Sequence, residues 1–108
     1  MALMPCESTP TDSKKNIVSN LSVTIIDKTY MVGGRATGSY SLTGSSWNTI
    51  QTITDNAYKP TSDVYGISVD GAGVTRPAKV ETDGKISVYA ISAGTAANFN
   101  IVINDVTT

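Results

Sequence analysis

Turn-forming residues interrupt this 108-residue chain about every ten positions, and that spacing narrows its fold more than any other feature. Gly33-Gly34, Gly44-Ser45-Ser46, Asp55-Asn56, Asp70-Gly71-Ala72-Gly73 and Thr82-Asp83-Gly84 leave little room for a helix that could stand by itself. Between these breaks Val, Ile, Thr and Tyr far outnumber strong helix formers. The pattern predicts an all-β fold of about seven or eight short strands, a β-sandwich or a small barrel, with an antiparallel, jelly-roll-like sandwich as the preferred form.

Several strands can be placed. Leu21, Val23 and Ile25 alternate with Ser22 and Thr24, and Thr29 to Val32 follows an Asp27-Lys28 turn. Gly33-Gly34 is expected to end that run, with Ala36 to Leu42 as a separate strand and Trp47 to Ile53 as the next. Tyr65, Ile67 and Val69 share one face, as do Phe99, Ile101 and Ile103, with Val102 out of pattern. In the hairpin around Asp83, a two-residue loop would mix faces. A three-residue Thr82-Asp83-Gly84 loop, with Gly84 left-handed, instead pairs Val80 with Ile86, Ala78 with Val88 and Glu81 with Lys85. Lys79 and Tyr89 then lie together on the face away from the apolar row. Trp47 and Tyr65 are read as core residues, on the usual fate of such rings, with a sugar contact as the alternative for Tyr65.

Residues 1–15, rich in Pro, Ser and Thr, read as a flexible N-terminal arm, and residues 16–108 as the β-sandwich head domain. A short helix over Asp12 to Asn20, capped by Asp12, is the alternative for the junction. One domain is all a chain of this length accommodates.

Eight basic and nine acidic residues give a net charge of -1, and the basic ones are scattered, so nucleic acid is not an expected partner. The opening residues have neither the basic nor the apolar region of a signal peptide, and no apolar run is long enough to span a membrane. Synthesis in the cytoplasm without membrane insertion follows. The single Cys6 forms no intramolecular disulfide, and the chain has no histidine, which removes His-based triads and His-liganded zinc. Asp55, Asp70 and Asp83 sit in turns, where bonding to backbone N–H groups explains them better than glycoside hydrolysis or calcium binding. Gly71-Ala72-Gly73 lacks the third glycine and the helix of a dinucleotide-binding loop. No catalytic residue, metal or cofactor is expected, and the chain is read as a non-enzyme. Rings beside carboxylate and guanidinium groups can hold a sugar, and Tyr58, Asp63, Tyr65 and Arg76 are the candidate saccharide-binding residues.

Trp47-Asn48-Thr49-Ile50-Gln51-Thr52-Ile53 followed by Ala57-Tyr58-Lys59-Pro60 resembles a pattern in bacteriophage tail and baseplate proteins, in which a Trp strand leads to a Tyr-Arg-Pro or Tyr-Lys-Pro element. Ala78 to Tyr89, a strand, a Gly hairpin and a strand ending in an aromatic, is similar in kind to the second half of that pattern. The likeness covers about the last 60 residues. It departs where Thr54-Asp55 replaces a leucine and proline, and no coiled-coil stalk precedes the head. The resemblance implies the head domain of a receptor-binding protein at a fibre tip, a homotrimer of β-sandwiches that binds host cell-surface saccharide and is located in the virion.

Two other functions fit the residues. A structural particle protein, such as a capsid decoration, head fibre or tail adaptor, would bind other virion proteins and no sugar. A free carbohydrate-binding module would be joined by a linker to an enzyme.

Overall fold

A computed structural model of the chain describes residues 13–107. Its strands run in chain order as β1 (Ser13–Val18), β2 (Leu21–Ile26), β3 (Thr29–Leu42), β4 (Ser46–Thr52), β5 (Val64–Val69), β6 (Thr75–Val80), β7 (Lys85–Ala90) and β8 (Gly94–Val106), with a single 3-10 turn at Asn56–Tyr58. All pair antiparallel in one eight-stranded sheet of order β1-β2-β3-β8-β5-β6-β7-β4. The fold is therefore all-β, as expected, but built as one curled sheet rather than as two separate sheets packed face to face.

The curl comes from β3 and β8, the two long strands. Gly34 and Gly38 in β3 have positive φ, and the β3–β8 register shifts between Ala36 and Ser39. Such a bulge bends and twists a strand without ending it. Gly33-Gly34 thus does not divide two strands, contrary to expectation: β3 runs through it. A Cβ at Gly34 would come 2.4 Å from the Asn20 carbonyl oxygen, so that glycine lets β2 approach closely.

The concave face collects one side of every strand from β2 to β8. Leu21, Val23, Tyr30, Val32, Ile53, Val64, Val80, Ile86, Val88, Phe99, Ile101 and Ile103 form its contiguous core. Tyr30, the largest fully buried side chain, joins the two ends of the curl by donating its hydroxyl to the Tyr58 carbonyl. Burial raises the pKa of that phenol well above the ordinary tyrosine value. Replacing Tyr30 with Phe leaves the carbonyl without this donor, and urea unfolding should register a loss of about 1–2 kcal/mol.

The expected hairpin register holds. Ala78 faces Val88, Val80 faces Ile86, Glu81 and Lys85 bond through their backbones at 3.0 Å, and Gly84 is left-handed at φ 94. The charges arrange differently from that backbone pairing: Glu81 bonds Lys79 at 3.1 Å, and Lys85 bonds Asp83 at 3.6 Å.

The suggested helix before Leu21 is instead strand β1, whose Lys14, Asn16 and Val18 are half-buried while Ser13, Lys15 and Ile17 are exposed. That two-residue period matches a segment with β2 alongside and too few residues to nucleate a helix. Ser13 to Lys15, assigned to the arm, belong to this strand. The rest of the arm, with Cys6 and Asp12, lies outside the described residues.

Candidate functional site

Strand alternation sends a second set of side chains to the convex face. Tyr65, Ile67 and Val69 of β5, Thr75, Pro77 and Lys79 of β6, Ser87 and Tyr89 of β7, and Trp47 and Thr49 of β4 face outward by the pairing register. Val102 of β8 joins them opposite Ile67.

Trp47 organises the middle of this face. It sits on the edge strand, yet its indole reaches back across the sheet: its centroid is 5.4 Å from Tyr89 and 6.4 Å from Tyr65, both edge-on, and Lys79 Nζ lies 4.3 Å from the ring. Ser87, although outward-facing, is covered to 1% exposure and lies 3.4 Å, oxygen to oxygen, from the Thr49 hydroxyl. Lys79 is held by the ring quadrupole and by Glu81 at once. The result is a three-ring cluster centred on Trp47, with one neutralised cation over the indole. Trp47 is 36% exposed and Tyr65 53%, too open for core residues.

Beside this cluster lies a groove of about 480 Å³ lined by Val74, Arg76, Pro77, Tyr89 and Ile91. Pro77 helps to open it. With no N–H to give, it lies outside the β6–β7 pairing, which begins at Ala78.

The four residues singled out from sequence do not form one constellation. Tyr65 stands in the aromatic cluster. Tyr58 instead ties the sheet's two ends, donating its hydroxyl to the Lys15 carbonyl at 3.0 Å with Lys14 Nζ 5.2 Å from its ring. Asp63 accepts the Thr82 N–H at 3.2 Å and steadies the β6–β7 loop. Arg76 is bonded to Asp70 at 2.7 Å, with its guanidinium 5.7 Å from the Phe99 ring, and reaches solvent mainly through the groove beside Tyr89.

Lys79 and Tyr89 were readable as outward neighbours from the hairpin register. Trp47 was not, because a lone large ring is assigned to the core by default.

The aspartates at turns are engaged as expected: Asp55 accepts Ala57 N–H, Asp83 accepts Lys85 N–H, and Asp70 accepts the N–H groups of Ala72 and Val74. Asp105 accepts the N–H groups of Val106 and Tyr65, which hold its carboxyl below the usual aspartate range. No helix among the described residues is long and apolar enough to cross a membrane. Comparison with known proteins returned no matching family model and no matching curated protein.

Proposed function

We propose that this chain is a non-catalytic binding domain of a bacteriophage particle, which engages host-cell saccharide through its convex face and acts as one copy of a homotrimer. The observation that carries the reading is the outward-facing ring cluster in which Trp47 packs edge-on with Tyr65 and Tyr89 and carries Lys79 over its indole. Aromatic faces and edges pack against the C–H surfaces of sugar rings, while the phenol hydroxyls of Tyr65 and Tyr89 supply hydrogen bonds to their oxygens. Single contacts of this kind are weak, and repetition over several copies converts them to useful avidity. The phage assignment and the trimer rest on the resemblance of the Trp47 to Pro60 and Ala78 to Tyr89 stretches to receptor-binding heads.

Trp47→Ala is expected to weaken glycan-surface binding by roughly tenfold or more, corresponding to about 1.4 kcal/mol per site; because it also removes packing against Tyr65, Tyr89 and Lys79, the variant's melting temperature is measured first to show that it is folded. Retention of full binding by that variant would remove the cluster from the site. Light scattering should give a mass near three times 11.3 kDa.

A second reading has its own support in Val74, Ile91 and Val102, exposed at 46%, 81% and 64% on or beside the same face. Apolar surface of this kind also suits contact with another protein, as a structural particle component would require. Binding to virion proteins with none to any glycan would favour it.

A further inference from the structure

Most glycines of this fold are explained by their surroundings. Gly34, Gly38, Gly73 and Gly84 are left-handed, and a Cβ at Gly44 or Gly66 would strike neighbouring backbone. Gly33 meets neither condition: its φ is not left-handed, and a Cβ there would find nothing within 4 Å. Gly94 shares that freedom but only begins its strand, whereas Gly33 lies inside β3 with a partner on each side, Ser22 and Val102. A glycine at such a place weakens a strand, and its recurrent use is to let a ligand or another backbone come close.

Gly33 lies in the floor of an open trough of about 510 Å³ on the convex face, bordered by Asn20, Ser22, Thr24, Met31, Val102 and Asn104. Among the described residues, the hydroxyls of Ser22 and Thr24 and the amide of Asn104 have no protein hydrogen-bond partner. No charged side chain lines it. An open apolar floor bordered by free hydroxyl and amide groups matches an uncharged ring carrying hydroxyls, with its C–H face down and its oxygens at the borders.

We infer that the Gly33 trough is a subsite for one ring of a neutral oligosaccharide, lying within a single chain. The inference rests on the saccharide-binding reading above and adds to it the place, charge and minimum length of the ligand. β3 and Tyr65's strand β5 are separated only by β8, about 10 Å at ordinary strand spacing. Val102 and Ile67, paired across β8 and β5, pave the way between trough and rings. A ligand that uses both places is a chain of several sugars.

The test uses the full 108-residue chain, titrated with tetrasaccharides of glucose, mannose and N-acetylglucosamine, and with tetragalacturonate as the charged control. Binding is followed by amide chemical shifts. The expected result is that a neutral tetrasaccharide moves the amides of Ser22, Gly33 and Asn104 together with those of Trp47 and Tyr65. Gly33→Val should then fold with an unchanged or higher melting temperature and lose roughly tenfold or more in affinity. Asn104→Ala should lose a few-fold.

If the wild type binds and Trp47→Ala abolishes binding while Gly33→Val does not weaken it, the trough is refuted and the aromatic site stands. Preference for tetragalacturonate refutes the neutral ligand. Failure of every neutral tetrasaccharide overturns both readings. Unfolding of Gly33→Val would show that the fold itself requires the glycine, which also overturns the inference.

Discussion

Replacing Asp70 with alanine is expected to destabilise the domain by about 3–5 kcal/mol, the range for stranding one partner of a buried ion pair. Asp70 follows directly on β5, and its side chain is 3% exposed. One carboxylate oxygen receives the N–H groups of Ala72 and Val74, both at 2.9 Å, and the other takes Arg76 Nη1 at 2.7 Å. The substitution removes all three contacts, frees the loop that starts β6, and leaves a guanidinium facing Phe99 without its counter-ion. Asp70→Asn keeps one acceptor and should cost less.

Protonation attacks the same contacts. The Arg76 bond first, then the Val74 N–H and, more weakly, that of Ala72, hold the Asp70 carboxyl below the ordinary aspartate value of 3.8, against the opposing effect of burial. A depressed folded pKa means that the unfolded chain takes up this proton more readily. The stabilisation is therefore complete above the unfolded value and disappears as pH falls from there through the folded value. Urea midpoints should drop on acidification below about pH 4, and the Asp70→Asn variant should drop less. A loss under 1 kcal/mol for Asp70→Ala, or equal acid sensitivity in both proteins, would refute this account.

Gly66→Ala is the second large effect. A Cβ at Gly66 would lie 2.2 Å from the Val102 carbonyl oxygen and 2.7 Å from Ile103 Cα, so one methyl group must push β5 away from β8. The obstacle is backbone, which cannot rotate aside. Such overpacking costs about 1–3 kcal/mol, and an obstacle made of backbone puts Gly66→Ala at the upper end; chemical denaturation should reveal it as a lowered midpoint. Gly33→Ala, two strands away in the same sheet, provides the contrast: its methyl meets open space, and it should be neutral or stabilising. A harmless Gly66→Ala would mean that the β5–β8 contact is looser than the geometry gives.

The hairpin from Ala78 to Val88 was legible in the sequence because only one loop length puts apolar residues opposite each other and gives Gly84 its turn. Phe99, Ile101 and Ile103 were legible as a buried row with Val102 outward, and they are. The continuity of β3 was not, since a Gly-Gly pair signals an end unless a neighbouring strand is known to need the space that Gly34 leaves. Nor was the single curled sheet: the two-residue period tells which side of a strand is buried, not whether another sheet or the same one covers it. At the candidate site, Tyr65 could be read from sequence either as a sugar contact or as a core ring, and at 53% exposure it is not a core ring. The roles of Tyr58, Asp63 and Arg76 depend on contacts with Lys15, Thr82 and Asp70, the first two many residues away, and no local pattern carries those. Trp47 illustrates the converse, a ring that escapes the core because a lysine and two tyrosines make a place for it outside.

The position of β8 sets the order in which this protein can be made. It is the last strand described, yet it lies between β3 and β5 and bonds to both. During synthesis, the β1-β2-β3 meander and the β5-β6-β7-β4 group emerge first, each with a flank open and its apolar side unmatched. Neither can join the other until the stretch ending at Val106 has left the ribosome. Domain-wide folding therefore waits for β8 to emerge, and a stall or truncation before Gly94 releases two half-sheets with exposed pairing edges, a species prone to stick to its own kind.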